Sequence, residues 1–257
     1  MIHFLSFSNL EKYNTIRHFV STRHGGVSTG AYKSLNLSFR SGDTAENVHA
    51  NRKRLRQALE LPEGQLFFPE QVHGKQVRYV QHPHTQLHET DALITDKPNY
   101  GLCVLSADCV PLLFYDAQQQ AIGAAHAGWR GTVQQIGVAT VDSMQQHFGT
   151  KPQDLWVGVG PTVSPEHYEV GEEVVEAVHE QLPAFADAVL LPHKKPEKAF
   201  LDLRAANRLP LEAIGIPGAQ IEVLPRCTQT EAELFFSARR QGAKSGRFAA
   251  GIVLNER

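Results

Sequence analysis

The sequence is poor in cysteine and carries almost no surplus charge of either sign. It has three cysteines and no Cys-x-x-Cys pair, which argues against a disulfide framework and favours a reducing compartment. Its 25 Lys and Arg nearly balance its 27 Asp and Glu. The chain therefore lacks the large positive field that a partner such as nucleic acid or an anionic membrane would require.

Long apolar runs are also missing. No stretch reaches the roughly 18 apolar residues that a bilayer span needs. The N-terminal residues do not have the charged and apolar regions of a secretory signal. We therefore expect a cytoplasmic protein that binds neither nucleic acid nor membranes.

What the sequence does contain is typical of a globular protein. Hydrophobic residues make up 42% of the chain and charged residues 20%, which suffices for a sizeable core. No repeat or low-complexity linker divides the chain, so we expect a single compact domain over residues 1–257. The predicted strands and helices mix without regular βαβ alternation, which favours the α+β class with mixed sheets.

Local patterns predict where these elements lie. Helices are expected from a capping box at Asp43 to Pro62, over 132–148, from near Glu172, and from an N-cap at Asp202. Pro210 is expected to break or kink the last helix. Apolar and β-branched runs predict strands at residues 16–22, 76–80, 102–105, 111–115, 121–125, 155–159, 221–224 and 248–254.

Basic residues are expected mainly at the surface. The cluster Arg52-Lys53-Arg54 with Arg56 should form the solvated face of the first long helix, because Leu55 and Leu59 must face inward. Arg247, near the C-terminus, is expected to form a surface or inter-element ion pair.

A polar segment between two apolar runs predicts a β-hairpin that would carry two candidate metal ligands. If Asp116 pairs with Gln119, the same register places Cys109 directly opposite His126. Cβ atoms of opposite residues lie roughly 4.5–5.5 Å apart, which suits two ligands of one metal ion. A slip of one residue would place them on opposite faces.

His73, which precedes Gly74 and a predicted strand, is the candidate third ligand. One thiolate and two imidazoles match a catalytic zinc site with an open fourth position. In the alternative interpretation, Cys109 is a buried apolar cysteine and the histidines are ordinary polar residues. The spacing by itself favours this alternative.

Three further places are candidates for substrate binding. The turn from Gly128 through Arg130 and Gly131 to Thr132 leads into a predicted helix and can hold an anion such as phosphate, or can be a plain turn with Arg130 on the surface. Arg23 can hold a polar substrate group at the end of a strand, or can belong to a surface hairpin. Asn36 lies in a partly buried segment and must form hydrogen bonds, if only with the backbone.

Four sets of motifs together resemble those of one protein family. The resemblance extends from about residue 19 to residue 253. The motifs are STRHGGVS with SLNL, QVHG followed by DALIT, SADCVPLLFYD with AAHAGWRGT, and LDLRAANR with CTQTEAELFFSARR. They are similar to those of the laccase-domain family, whose members have been called multicopper polyphenol oxidase, peptidoglycan editing factor and purine nucleoside phosphorylase. The sequence departs from the family pattern at Ser38, where glycine is usual, and at Pro210.

The resemblance implies a fold, a metal and a set of reactions. The fold would be α+β, with stacked mixed sheets flanked by helices. His73, Cys109 and His126 would bind zinc, with copper as the less favoured metal. The implied reactions are phosphorolysis of adenosine, inosine, guanosine and methylthioadenosine, and deamination of adenosine, with the nucleoside and phosphate as small-molecule partners.

Three other functions stay open at this point. The same residues would suit an amidase that edits peptidoglycan precursors. A copper-dependent polyphenol oxidase ranks last, because it needs many paired imidazoles and the only His-x-His segment is His82-Pro83-His84. A metal-containing binding module without enzymatic activity is the third alternative. A monomer is the favoured oligomeric state.

Overall fold

The computed structural model describes residues 1–256 and contains two large β-sheets and one small sheet. The strands are β1 Phe4–Leu5, β2 Ile16–Ser21, β3 Leu66–Phe67, β4 Val77–Tyr79, β5 Ala92–Thr95, β6 Gly101–Ser106, β7 Val110–Asp116, β8 Ala121–Ala127, β9 Leu155–Val159, β10 Glu169–Val170, β11 Leu190–Leu191, β12 Ala199–Leu201, β13 Ile221–Val223 and β14 Phe248–Leu254. The α-helices are α1 Ser8–Glu11, α2 Ala45–Ala58, α3 Trp129–Val133, α4 Ile136–Phe148, α5 Glu172–Gln181, α6 Ala186–Val189, α7 Leu203–Ala213 and α8 Ala238–Gln241.

The sheets are mixed, as the sequence predicts. One large sheet has the order β1-β2-β14-β6-β3, the other has the order β13-β9-β7-β8-β5-β4, and the small sheet is β10-β12-β11. Most neighbouring strands are antiparallel, but β3 pairs with β6, β4 with β5 and β13 with β9 in parallel. The predicted α+β class is therefore confirmed.

The two large sheets stack because alternate residues of their central strands face each other. Leu113 of β7 and Val104 of β6 belong to one buried apolar cluster between the sheets. The neighbouring side chains face outward: Leu112 packs in a cluster with α4 and α7, and Cys103 packs with Leu55 of α2. Helices thus cover the outer face of each large sheet.

The β7–β8 hairpin forms, but in a register that differs from the predicted one. Pro111 lies opposite His126, and Asp116 pairs with Ala121 across a loop of residues 117–120. The Asp116 carboxylate accepts the N–H groups of residues 118 and 119, which stabilises this longer loop. The expectation that Cys109 lies directly opposite His126 is therefore wrong by two residues. Because side chains alternate with a period of two, this slip preserves the face, whereas a slip of one would not.

The long helices differ from their predicted bounds for local reasons. Helix α2 is capped by Thr44, not by Asp43, since the Thr44 hydroxyl accepts the N–H of Asn47. The helix predicted over 132–148 is two helices, α3 and α4, separated at Gln135, whose backbone is left-handed with φ +58°. Pro210 does not end α7, which continues to Ala213 with Pro210 buried on its inner face.

Several short strands were not expected from the sequence, namely β1, β3, β5 and the three strands of the small sheet. All but β5 are only two or three residues long, too short for a period to be recognised. No helix in residues 1–256 has both the length and the apolarity needed to cross a membrane.

Candidate metal centre and adjoining cavity

His73, Cys109 and His126 meet at one end of the six-stranded sheet. Their ligand atoms all lie within 4.8 Å of one another. His126 lies on β8 and is buried, Cys109 is partly buried in the loop before β7, and His73 is exposed in the loop between β3 and β4. The two imidazole rings meet edge to face, with centroids 4.8 Å apart. The cluster is therefore anchored on the sheet and open to solvent on one side.

Asp91, at the start of β5, positions both histidines. Its fully buried carboxylate accepts three successive backbone N–H groups, from Val72 at 3.1 Å, His73 at 3.0 Å and Gly74 at 2.8 Å. The same carboxylate lies 2.9 Å from Nδ1 of His126. A carboxylate in this position fixes the ring orientation of a histidine and leaves the other ring nitrogen for a ligand or metal.

The loop that carries Cys109 is held in an unusual conformation. Asp108 has φ +94°, in the left-handed region that residues other than glycine rarely adopt. Its carboxylate accepts the Thr228 hydroxyl and the Arg239 N–H, both at 2.6 Å. The Ser106 hydroxyl donates to the Cys109 carbonyl at 2.6 Å. These contacts offset the backbone strain and fix the cysteine beside the histidines.

The electrostatics of the cluster favour a thiolate. Burial acts to raise the pKa of the Cys109 thiol, but the charge and hydrogen bonds of His126 and His73 outweigh it and lower that pKa below its usual value. Burial acts to lower the pKa of His126, but Cys109 and Asp91 outweigh it and raise that pKa. The thiolate is the form of cysteine that binds a metal.

This donor set fits a single zinc ion. One sulfur and two imidazole nitrogens match the three protein ligands of catalytic zinc sites of the Cys-His-His kind, which keep a position for water or substrate. Asp91 supplies the outer hydrogen bond that such a histidine ligand usually has.

A cavity of about 410 Å³ adjoins the three residues. This volume lies within the range of about 300–1,000 Å³ usual for small-molecule sites. Besides the cluster, its walls include two aromatic rings, Phe39 and Phe68, and the arginines Arg40, Arg52 and Arg247. The cavity thus combines stacking surfaces with positive charge.

Arg52 and Arg247 are two charged lining residues that the sequence interpretation placed elsewhere. Arg52 was expected on the solvated face of α2, yet its guanidinium packs on the rings of Phe39 and Phe68, in the segments before and after the helix. Arg247 was expected in an ion pair, but its guanidinium donates to the carbonyls of Ser245 and Gly246. Only the tertiary fold brings these groups to one cavity.

Neither Arg23 nor Asn36 is among the residues that line the cavity. The Arg23 guanidinium stacks on Phe236 and donates to backbone carbonyls. The fully buried Asn36 side chain donates to the Ser41 hydroxyl at 2.8 Å and accepts the Arg247 N–H at 3.0 Å. Asn36 thus contacts the wall of the cavity, and Arg23 supports the neighbouring loop.

The Gly128–Thr132 turn packs directly against the cluster. A Cβ atom on Gly128 would lie 2.8 Å from Cδ2 of His73 and 3.2 Å from Sγ of Cys109, so only glycine fits there. A Cβ atom on Gly131 would lie 3.0 Å from the Gly74 carbonyl oxygen. Close packing therefore explains why glycine stands at both positions.

The polar residues of that turn have partners in the protein. The Arg130 guanidinium stacks on Trp129 and pairs with Glu173 at 2.9 Å, with more than half of its side chain exposed. The Thr132 hydroxyl accepts the Asn207 amide at 2.9 Å. Neither residue lines the cavity. The assignment of phosphate to this turn stays a prediction.

Comparisons with known proteins show the family to which this chain belongs. A family model described as multi-copper polyphenol oxidoreductase laccase matches residues 17–255. A protein of Bacteroides thetaiotaomicron named purine nucleoside phosphorylase is 41% identical, covering 98% of this chain and 96% of its own. Adenosine deaminase RL5, from an unknown prokaryotic organism, is 34% identical, covering 96% of this chain and 95% of its own.

A solved structure has the same fold. The crystal structure of YlmD from Geobacillus stearothermophilus superposes with a TM-score of 0.88 at 36% identity, covering 95% of this chain and 93% of that chain. The chain belongs to the laccase-domain family. Its curated relatives carry enzyme names, and this chain is an enzyme of the same family.

Proposed function

We propose that this enzyme is a zinc-dependent purine nucleoside phosphorylase that also deaminates adenosine. Its substrates would be adenosine, inosine, guanosine and methylthioadenosine, with inorganic phosphate as co-substrate, and it would act in the cytoplasm. The observation that carries the proposal is the His73–Cys109–His126 group on the wall of a cavity that is aromatic and positively charged. The names of two relatives, a purine nucleoside phosphorylase and an adenosine deaminase, support it.

The three residues of the cluster would hold the zinc ion. When bound, zinc supplies a Lewis acid that polarises an oxygen of the attacking water or phosphate. Asp91 keeps the His126 ring and the His73 backbone in the orientation that such ligands require. Phe39 and Phe68 offer flat apolar surfaces on which a purine can stack.

The two proposed reactions use the same substrate and differ in the nucleophile. In phosphorolysis, an oxygen of phosphate attacks C1′ of the ribose and the purine leaves. In deamination, water attacks C6 of adenine and ammonia leaves. One site would serve both, because both reactions start from the same bound nucleoside, and positioning of reactants accounts for a large part of enzymatic rate enhancement.

The first experiment is product analysis with and without phosphate. The enzyme is loaded with zinc and incubated with adenosine or inosine. We expect ribose 1-phosphate only when phosphate is present, and inosine from adenosine in both buffers. Release of free ribose in the absence of phosphate would mean hydrolysis and would contradict the phosphorylase assignment.

Metal analysis of the purified protein completes the test. We expect one zinc ion per chain, and its removal by a chelator should abolish turnover until zinc is restored. Copper in place of zinc would favour the oxidase alternative. If no nucleoside reacts in either buffer, hydrolysis of an amide in peptidoglycan precursors becomes the leading function.

A further inference from the structure

Two arginines of the cavity have no carboxylate partner among residues 1–256. Arg40, the third, is neutralised by Glu70 at the rim, and Glu70 also bonds to His88. No such ion pair involves Arg52 or Arg247, although both line the cavity together with Cys109. The wall beside the cluster therefore carries two guanidinium groups that have no carboxylate within ion-pair distance among the described residues.

The Asn36-Leu37 segment brings these two arginines together from distant parts of the chain. The Leu37 carbonyl accepts Nε of Arg52 at 2.9 Å. The Leu37 N–H donates to the Arg247 carbonyl at 3.1 Å, and Asn36 accepts the Arg247 N–H at 3.0 Å. Helix α2 and the start of β14 are thereby joined to one short segment, and each contributes an arginine to the same wall.

Each guanidinium is fixed by the protein and still has donors free. Arg52 lies between two aromatic rings, with centroids 4.6 Å away for Phe39 and 4.0 Å away for Phe68. Nη1 of Arg247 donates to the carbonyls of Ser245 and Gly246. Among the described residues, Nη1 and Nη2 of Arg52 have no hydrogen-bond acceptor. The same is true of Nε and Nη2 of Arg247. Donors held in this way bind an anion with little further loss of side-chain entropy.

The charge on both groups persists despite partial burial. Burial lowers the pKa of Arg52 to about 10, and it lowers the pKa of Arg247 as well, while Cys109 and Asp108 act in the opposite direction. Both side chains are therefore cations at neutral pH. A partly desolvated cation with no anion in direct contact is unfavourable, and a bound anion would lessen that cost.

We propose that Arg52 and Arg247 bind the phosphate co-substrate, in place of the Gly128–Thr132 turn. This inference rests on the proposed function. Two guanidinium groups can each donate paired N–H groups to phosphate oxygens, which is the geometry that arginine and phosphate favour. In the reaction, one oxygen of hydrogenphosphate forms the bond to C1′ while the bond from C1′ to N9 breaks. The bonding pair goes to N9, and the proton of hydrogenphosphate ends on the purine, giving ribose 1-phosphate.

The test compares Arg247→Gln and Arg52→Gln with a control on the same helix, Arg54→Gln. Arg54 is exposed, does not line the cavity and donates to the Gly25 carbonyl at 3.2 Å. Each cavity variant should raise the phosphate KM by about ten- to a hundredfold, the loss expected for a hydrogen bond to a charged group. In each cavity variant the nucleoside KM should rise less than the phosphate KM, and Arg54→Gln should change neither of them by more than about twofold.

Calorimetric titration with inorganic phosphate alone separates this inference from the proposed function. If the wild type binds phosphate, the cavity variants do not, and no nucleoside reacts, the phosphate site stands and the proposed function fails. If the wild type carries out phosphorolysis and the cavity variants keep its phosphate KM, the phosphate site is wrong and the function stands. Arg130→Gln is measured beside them, and an increase of the phosphate KM in that variant alone would place phosphate at the turn.

A folding control keeps the result interpretable. Thermal unfolding and circular dichroism show whether a glutamine variant is folded. Arg247→Lys keeps the charge but loses the paired donors, so it should raise the phosphate KM less than Arg247→Gln does. A lysine variant as weak as the glutamine variant, with both folded, would contradict the proposed role of charge.

Discussion

Cys103 and Cys109 lie close together along the chain, yet their surroundings give them opposite chemistry. Cys103, in β6, is completely buried between apolar side chains of the sheet and α2, and burial raises the pKa of its thiol far above the usual value. Cys109, just beyond the same strand, has two imidazoles beside it that more than offset the effect of burial on its pKa. The comparison shows that the neighbours of a cysteine, more than its burial, decide whether it is reactive.

The largest effect is expected from Cys109→Ala. Removal of the sulfur takes away one of the three proposed zinc ligands, so zinc content should fall to background and turnover by at least about a hundredfold, more than a change outside the ligand shell causes. The fold should be retained, because the histidines and the loop are held by hydrogen bonds that do not involve the sulfur. Metal analysis, initial rates and circular dichroism measure the three quantities. Full activity in this variant would remove Cys109 from the site.

Asp91→Asn tests how far metal binding by the three-residue cluster depends on the Asp91 carboxylate. The amide cannot accept hydrogen bonds through its nitrogen, so some of the N–H groups of Val72, His73 and Gly74 lose their acceptor. We expect zinc affinity to fall by about 10–100-fold, as measured by competition with a chelator. The control is Asp96→Asn near the end of β5, whose carboxylate accepts the Tyr79 hydroxyl and pairs with Lys97. Equal zinc affinity in both variants would show that Asp91 does not position the ligands.

Cys103→Ala should have the smallest effect, and it should change stability only. Loss of one buried sulfur leaves a small cavity in the layer beneath α2, which should lower the free energy of unfolding by about 1 kcal/mol. For a chain of this size the melting temperature should fall by about 2–4 °C per kcal/mol, and the rate of turnover should be unchanged. A variant that melts like the wild type but has lost turnover would contradict the conclusion that Cys103 contributes to stability alone.

Much of the fold could be predicted from the sequence because its pattern is local. Strands β9 and β14 have the predicted bounds, since their apolar runs end at clear polar or turn residues. Asp202 caps α7 as expected, accepting two N–H groups of the first turn. The register of β7 and β8 could not be fixed in this way, because it depends on how the Asp116 side chain stabilises a four-residue loop.

The site was predictable only in part. The family resemblance pointed to His73, Cys109 and His126, which the structure brings together, whereas the hairpin spacing by itself favoured a buried apolar cysteine. Asp91 begins the DALIT motif, but its role was not recognised, since that role comes from three N–H groups on another loop and from a ring on another strand. Arg52 and Arg247 were missed because their sequence neighbours suggest surface residues, and only the Asn36-Leu37 segment joins them.

The contacts of Asp91 also bear on the order in which the protein is assembled. The carboxylate connects the His73 loop to His126 by hydrogen bonds within the protein, and β5, which it begins, lies between β8 and β4 in the sheet. The histidine positions are thus fixed by hydrogen bonds within the protein once these strands have paired. If the chain binds zinc as proposed, it can complete its folding first and bind the metal afterwards, so the supply of zinc would limit its activity and not its yield.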